Sequence, residues 1–176
     1  MRCFLLLIFV AVAWLVGCAD PTLPPCRTVD AYWTNCIGKR DFSNGMQYVG
    51  EWKDEKFYGL GTLRFSDGQT YVGEFRNGRF NGQGTRAFRD GFVYYVGGFK
   101  DGMFHGYGKR TSRDGSVYEG EWVDDVRAGQ GTSMRPDGRT YIGGWMNGSY
   151  HGEGTLIYPD GRVLKGRWAN DKFLGP

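Results

Sequence analysis

The side chains that could support catalysis are few, and they lie far apart in the sequence. The two histidines, His105 and His151, each precede a Gly-x-Gly triplet in similar segments of the chain. In an extended sheet these segments would place the two imidazoles about 20 Å apart, too far to share a metal ion. We therefore predict no metal site, and we interpret both histidines as parts of a repeated pattern.

Three glutamates, Glu51, Glu74 and Glu121, occupy one common place in the similar segments. Stacked hairpins would hold neighbouring copies about 10 Å apart, on an open face without a pocket. The paired carboxylates of glycoside hydrolases lie about 5–9.5 Å apart, with one of them desolvated. We expect these three carboxylates to be solvated, or paired with Arg and Lys, on the face opposite the Tyr and Trp side chains.

The other catalytic patterns are excluded in a similar way. The Gly-x-Gly triplets precede no predicted helix, so they lack the helix N-terminus that cradles a nucleotide phosphate. The serines have no histidine and aspartate near them in a plausible triad; they include Ser43, Ser66, Ser112, Ser116, Ser133 and Ser149. We predict no enzyme activity and no cofactor.

A group of basic side chains is the strongest candidate for a binding site. It consists of Arg86, Lys109, Arg110, Arg113, Arg127 and Arg135. Strand alternation would place Arg86, Arg110 and Arg135 on one face, where they could bind anionic lipid headgroups or an acidic partner. The alternative is a solvated sheet face balanced by nearby aspartates. The net charge of +3 is too small to indicate nucleic-acid binding.

A repeated unit positions all these residues. Successive copies are separated by 23, 24, 23, 23 and 23 residues, and a fixed period of this size indicates stacked supersecondary units. Glycine contributes 30 of the 176 residues and aromatics 16%, which favours turns and strands over helices. The copies begin at Tyr48, Tyr71, Tyr95, Tyr118 and Tyr141, and a partial copy begins at Leu164.

Each unit, numbered from its first residue, predicts one β-hairpin. Asn-Gly or a related pair at positions 7 and 8 makes the tight turn, as in Asn77-Gly78, and Asp67-Gly68 leads into the next unit. Tyr, Gly and an aromatic residue at positions 1, 3 and 5 share one face. We expect rings of successive hairpins to lie across these glycines. The stacking aromatics are Tyr48, Trp52, Tyr71, Phe75, Tyr95, Phe99, Tyr118, Trp122, Tyr141 and Trp145.

The predicted fold class is therefore all-β, an elongated antiparallel β-hairpin repeat array over residues 36–176. Five full repeats are flanked by half repeats at 36–47 and 164–176. At two strands per unit, the array would form a twisted ribbon roughly 50 Å long.

The N-terminus predicts export. Residues 1–17 hold one arginine and a short apolar run, which matches a signal peptide and is too short to span a bilayer. The run ends at Leu15-Val16-Gly17-Cys18, which resembles the lipobox of bacterial lipoproteins. That resemblance implies lipidation of Cys18 and membrane anchoring, with the outer membrane favoured in a didermal bacterium. An ordinary cleaved leader or an uncleaved anchor are the alternatives.

Residues 18–35 follow as a lipidated cysteine and a proline-rich tether. The exported part then contains Cys26 and Cys36. An oxidising compartment favours a disulfide between them, and closing this short loop would stabilise the fold by about 2–3 kcal/mol.

The pattern Tyr-x-Gly-Glu-Trp, Asn-Gly, Gly-x-Gly and Asp-Gly, at this period, resembles the MORN repeat (membrane occupation and recognition nexus). The resemblance covers residues 38–176. It implies a twisted hairpin ribbon that serves in protein contacts, self-association and, in some members, phospholipid recognition, without catalysis. We expect a membrane-anchored protein-binding or scaffold module of the cell envelope. The alternative is direct recognition of anionic phospholipid through the basic side chains.

Overall fold

The computed structural model describes residues 22–27 and 32–176. The predicted signal peptide and Cys18 lie outside these residues. The described chain forms one antiparallel sheet of thirteen strands, which follow one another in sequence order. The strands are β1 (Cys36–Asp41), β2 (Gln47–Lys53), β3 (Lys56–Arg64), β4 (Thr70–Arg76), β5 (Arg79–Ala87), β6 (Val93–Lys100), β7 (Met103–Thr111), β8 (Val117–Val123), β9 (Val126–Met134), β10 (Thr140–Met146), β11 (Ser149–Ile157), β12 (Val163–Ala169) and β13 (Lys172–Gly175).

This architecture confirms the predicted all-β hairpin array. Neither described segment contains a helix that is long and apolar enough to cross a membrane.

Two kinds of turn alternate along the sheet. The two-residue turns have positive φ at both central residues, as at Asn77 (52°) and Gly78 (79°), which is the type I′ geometry that matches strand twist. The turns between units are three residues long and end in a left-handed glycine. In the first of them, the Gln69 N–H donates to the Asp67 carboxylate at 2.9 Å, and Gly68 has φ of 86°.

The first-position tyrosines form the core of each unit. They are at most 5% exposed, and each ring lies over two glycines of its own hairpin. The Tyr71 ring covers Gly73 and Gly84, and its hydroxyl donates to the Glu74 carbonyl at 2.8 Å. A β-bulge after Gly73 turns that carbonyl toward the hydroxyl. The hydroxyl thus satisfies a backbone group that the bulge leaves unpaired.

We expected each glycine to be covered by a ring from the neighbouring hairpin, and this expectation was wrong. A glycine is covered by the tyrosine of its own hairpin, because the bulge brings that hydroxyl inward. Contact between hairpins has two other sources. The Tyr71 ring meets the edge of Phe99 in the next unit at 5.1 Å, and the Trp122 Nε1–H donates to the Gly108 carbonyl at 3.1 Å.

We expect Gly84→Ala to lower the free energy of unfolding by about 3 kcal/mol, because overpacking a fixed core forces neighbours to shift. The new Cβ would lie 2.5 Å from the Tyr71 hydroxyl oxygen. Urea unfolding followed by circular dichroism measures the loss. Gly91→Asn is the control: nothing lies within 4 Å of its Cβ, its φ of 84° tolerates Asn, and its stability should be nearly unchanged.

A cap closes the N-terminal edge of the sheet. The N–H of Cys26 donates to the Ile37 carbonyl at 2.8 Å, and the N–H of Ile37 donates to the Pro24 carbonyl at 2.9 Å. Cys26 and Cys36 are joined by a disulfide. Trp33 is buried against Trp52, with ring centroids 5.0 Å apart. The described part of the predicted tether thus packs on β1 and β2 at these points.

We expect reduction of the Cys26–Cys36 disulfide to lower the free energy of unfolding by about 3 kcal/mol, because the unfolded chain regains the entropy of a short closed loop. Urea unfolding with and without reductant gives the difference. A Cys26→Ser/Cys36→Ser chain should match the reduced protein and ignore reductant. Equal stability of all three forms would contradict the prediction.

Candidate functional site

The sheet has two different faces. The aromatic face carries the first-position tyrosines together with a second layer of rings from position 10 of each unit. Phe80 stacks on Tyr71 at 3.9 Å between centroids, and Phe104 stacks on Tyr95 at 3.7 Å. The outer face carries the side chains that alternate with these. The aromatic face is therefore closed by rings wherever position 10 is aromatic.

Repeat 4 interrupts this layer, because Arg127 takes the place of the ring. Its guanidinium carbon lies 4.3 Å from the Trp145 centroid and 5.6 Å from the Tyr118 centroid. Its Nη2 donates to the Gly148 carbonyl at 2.6 Å. Burial lowers the pKa of Arg127 below its ordinary value, because the surrounding rings remove part of its water.

Smaller side chains widen the interruption. Ser133 and Ser112 stand where the first repeat has Leu63 and Phe65. A depression of about 520 Å³ results, which we name the repeat-4 groove. It is lined chiefly by Arg110, Tyr118, Arg127, Ser133, Arg135 and Trp145, and Asp125 and Asp171 border it.

Three of the six predicted basic residues meet at this groove: Arg110, Arg127 and Arg135. The other three lie elsewhere. Arg86 packs among aromatic rings and is 5.3 Å from the Tyr94 centroid. Lys109 is on the outer face, 3.6 Å from Glu119, and Arg113 pairs with Asp90 at 2.7 Å. The six side chains therefore do not form one continuous strip.

The three glutamates have a structural role that the sequence analysis missed. Their carboxylates accept backbone N–H groups: Glu74 from Gln83 at 2.8 Å, and Glu121 from Gln130 at 2.8 Å. Glu51 does the same and is only 9% exposed. None of them forms an ion pair with Arg or Lys within the described segments. Glu74 and Glu121 are exposed, as expected, whereas Glu51 is buried. Neither alternative included the backbone contacts by which the carboxylates close the β-bulges.

The two histidines lie at the corresponding bulges of repeats 3 and 5, where their backbone carbonyls face a glycine. Repeats 3 and 5 have Gly98 and Gly144 in place of the glutamate, and a Cβ there would lie 2.1 and 2.2 Å from the carbonyl oxygens of His105 and His151. His105 Nδ1 is 3.2 Å from an Asp124 carboxylate oxygen, whereas His151 Nδ1 is buried without a partner. No group of three metal-binding side chains occurs among residues 22–27 and 32–176.

A second group of cations was also missed. On the outer face, Lys53 is directly opposite Lys56, and Arg76 is directly opposite Arg79. All four are exposed, and these strand ends form no ion pair in the described structure. We name these four residues the basic hairpin tips. Positions 6 and 9 flank every tight turn, so the repeat numbering alone could have revealed them.

The fold and these sites define a repeat-based binding module built as an open hairpin sheet. The MORN repeat matches residues 48–70, 71–93, 95–117, 118–138 and 141–161, which is well over half of the chain. The chain belongs to the MORN-repeat family, as the sequence pattern predicted.

No curated protein sequence matches this chain. Among solved structures, virginiamycin B lyase from Staphylococcus aureus is similar at 9% identity with a TM-score of 0.22. The alignment covers 75% of this chain and 55% of that protein, so the chain spans about half of the lyase's length. A likeness at this level carries no argument about fold or function.

Proposed function

We propose that this protein is a non-enzymatic, lipid-anchored binding module of the cell envelope, which holds a protein partner in the repeat-4 groove. The single observation that supports binding there is the interrupted aromatic layer at Arg127. Everywhere else on this face of the full repeats, a position-10 ring covers the tyrosine, as Tyr150 covers Tyr141 at 3.7 Å. At repeat 4 the face instead has a groove in which the exposed apolar residues Val126 and Met134 accompany hydrogen-bond donors, which suits specific recognition.

The anchor is supported by the sequence at Cys18. The described residues that come first after Cys18 fit this arrangement, because Pro25 pairs in parallel with Ile37, which lies opposite Glu51 near the first tight turn. The chain therefore reaches the sheet at one of its long sides. Diacylglycerol and acyl chains on Cys18 would hold that side close to a membrane.

Site-specific photocrosslinking in native membranes tests the partner. A photoreactive residue at Arg135, on the groove rim, should capture one protein at defined stoichiometry. The same residue at Thr132, on the outer face of β9, should not. Equal adducts from both positions, or none at Arg135, would contradict groove binding. A Cys18→Ser chain should leave the membrane fraction in the same cells, which tests the anchor separately.

A second candidate function is contact with anionic membrane lipid through the basic hairpin tips. Like charges directly opposite each other destabilise an antiparallel pair, and here two such pairs occur in consecutive units. An anionic surface would neutralise them, at about 1 kcal/mol per basic residue. The tips also lie along the side of the sheet at which the N-terminal segment enters, since Pro25 pairs in parallel with Ile37 near the first tight turn.

Sedimentation of the Cys18→Ser chain with phosphatidylglycerol vesicles tests this contact. Reversing the four tips to Glu should weaken vesicle binding roughly a hundredfold or more. The matched control carries the same change in net charge at other exposed positions: Arg64, Arg89, Lys165 and Arg167. If both variants lost vesicle binding equally, net charge alone would explain the loss, and a role for the basic hairpin tips would be contradicted.

A further inference from the structure

We propose that the repeat-4 groove binds a carboxylate side chain, Asp or Glu, on an extended segment of the protein partner. This inference rests on the proposed function and names the chemistry that the groove recognises. Arg127 would bind the carboxylate, the Ser133 hydroxyl would donate a second hydrogen bond, and Arg110 and Arg135 would hold the flanking charge.

In repeat 4 an arginine occupies position 10, where the other full repeats have an aromatic ring. Arg127 is half-buried between aromatic rings and uses one nitrogen on a backbone carbonyl. It has no ion pair in the described chain. A partly desolvated cation without a counter-ion is unfavourable, and a planar guanidinium fits a carboxylate in a bidentate manner.

The Ser133 hydroxyl is a hydrogen-bond donor without a partner in the described structure. Ser133 is 6% exposed, and its Oγ has no hydrogen-bond partner. It lies between Tyr118 and Tyr141, its cross-strand neighbours on either side. Buried hydroxyls are normally paired, so this one is available to donate to a group bound in the groove.

The side chains around the groove carry more positive than negative charge. Arg110 and Arg135 are exposed and unpaired in the described structure, which gives three cations with Arg127. Asp125 and Asp171 provide two opposing charges, and each has one oxygen bound by a backbone N–H at 2.8 Å. The remaining excess is one positive charge, which matches a singly charged carboxylate better than a doubly charged phosphate.

The groove also offers apolar surface that a peptide could cover. Val126 and Met134 line it and are 43% and 49% exposed, and they provide apolar walls beside the cation. Apolar side chains on either side of an acidic residue would contact these walls, as they can in an extended peptide but not in a free anion. A lipid phosphodiester has the same single charge, and the experiment separates the two sources.

The test uses the intact chain in zwitterionic nanodiscs and a fluorescent, end-blocked peptide of sequence Phe-Leu-Glu-Leu-Phe, with a Gln version as reference. Fluorescence anisotropy should show at least tenfold tighter binding of the Glu peptide. Arg127→Phe and Ser133→Leu restore the residues found in other repeats, so both should fold with an unchanged or higher melting temperature. Each should remove the preference for Glu.

The matched control is Arg86→Leu, which makes the same kind of change at position 16 of repeat 2, outside the groove. It should keep the preference for Glu. Equal affinity for the Glu and Gln peptides, or an unchanged preference in Arg127→Phe, would overturn the carboxylate site. Displacement of the peptide by equimolar inorganic phosphate, or by phosphatidylglycerol vesicles, would overturn the peptide carboxylate as its ligand.

Failure of this site and failure of the proposed function give different results. Crosslinks at Arg135 together with equal binding of the Glu and Gln peptides would retain the protein-binding face and overturn only the carboxylate. A Glu preference without crosslinks at Arg135 would retain the site and overturn the native protein partner.

Discussion

The array is expected to unfold steeply as the pH rises from 10 toward 12. Burial raises the pKa of Tyr118 and Tyr141 from 10.0 to about 12, and it raises the pKa of Tyr48, Tyr71 and Tyr95 further. In the unfolded chain these phenols lose their protons near pH 10, while the folded chain keeps them neutral. Their stabilising effect is thus complete below pH 10 and is lost as pH rises toward the folded pKa.

Each buried tyrosine should remove about 1.4 kcal/mol of unfolding free energy per pH unit in this range. Urea titrations at several alkaline pH values measure the slope, and tyrosinate absorbance should appear together with loss of the sheet signal. A Tyr141→Phe chain removes one ionisation and should flatten the slope by that amount. Ionisation of all the tyrosines near pH 10 with the sheet intact would contradict the prediction.

Replacing one of these rings should also be severe. Tyr95→Ala is expected to lower the free energy of unfolding by about 4 kcal/mol, because it leaves a cavity under Phe104 and beside Trp122. It also leaves the Gly98 carbonyl, which accepts the Tyr95 hydroxyl at 2.9 Å, without that donor.

Tyr107→Ala is the matched control for this change, since Tyr107 is in the same repeat but is 62% exposed on the outer face. Its effect should stay within about 0.5 kcal/mol. Thermal and urea unfolding of both variants, compared with the unchanged chain, give the two values. A similar loss in both would show that burial of the first-position ring is not the source of stability.

The sequence was sufficient for the fold because the local signals agree with one another. Asn77-Gly78 defines a tight turn, Asp67-Gly68 defines a wider one, and the 23-residue period joins them into a meander. Alternation then assigns Tyr71 and Phe75 to one face without any long-range information. Both turn types and the order of strands follow from these features.

The bulges were beyond this kind of reasoning. After Gly73 the pairing of β4 with β5 shifts by two residues, so that three residues of β5 lie opposite Glu74 alone. Simple alternation along one strand does not predict this shift. The role of Glu74 as an acceptor for the Gln83 N–H depends on this shift. The close approach of the His105 carbonyl to Gly98 was also missed, because it is a backbone contact across a bulge.

The candidate site was predicted in part. Sequence numbering identified Arg127 as a departure from the ring at position 10, and it placed Arg110 and Arg135 on the same face. It did not show that Arg86 would be held by neighbouring rings, since side-chain packing across strands decides that. The buried hydroxyl of Ser133 also required the structure, because its lack of a partner depends on its surroundings.

Each strand pairs only with the strands next to it in sequence, from β1 to β13. Such a molecule can change length by whole units during evolution, since duplication of one unit creates a junction identical to those already present. The N-terminal edge of the described sheet is covered by the Cys26 segment, which pairs with β1. The length of the sheet can thus be adjusted in steps of about 10 Å without altering the groove.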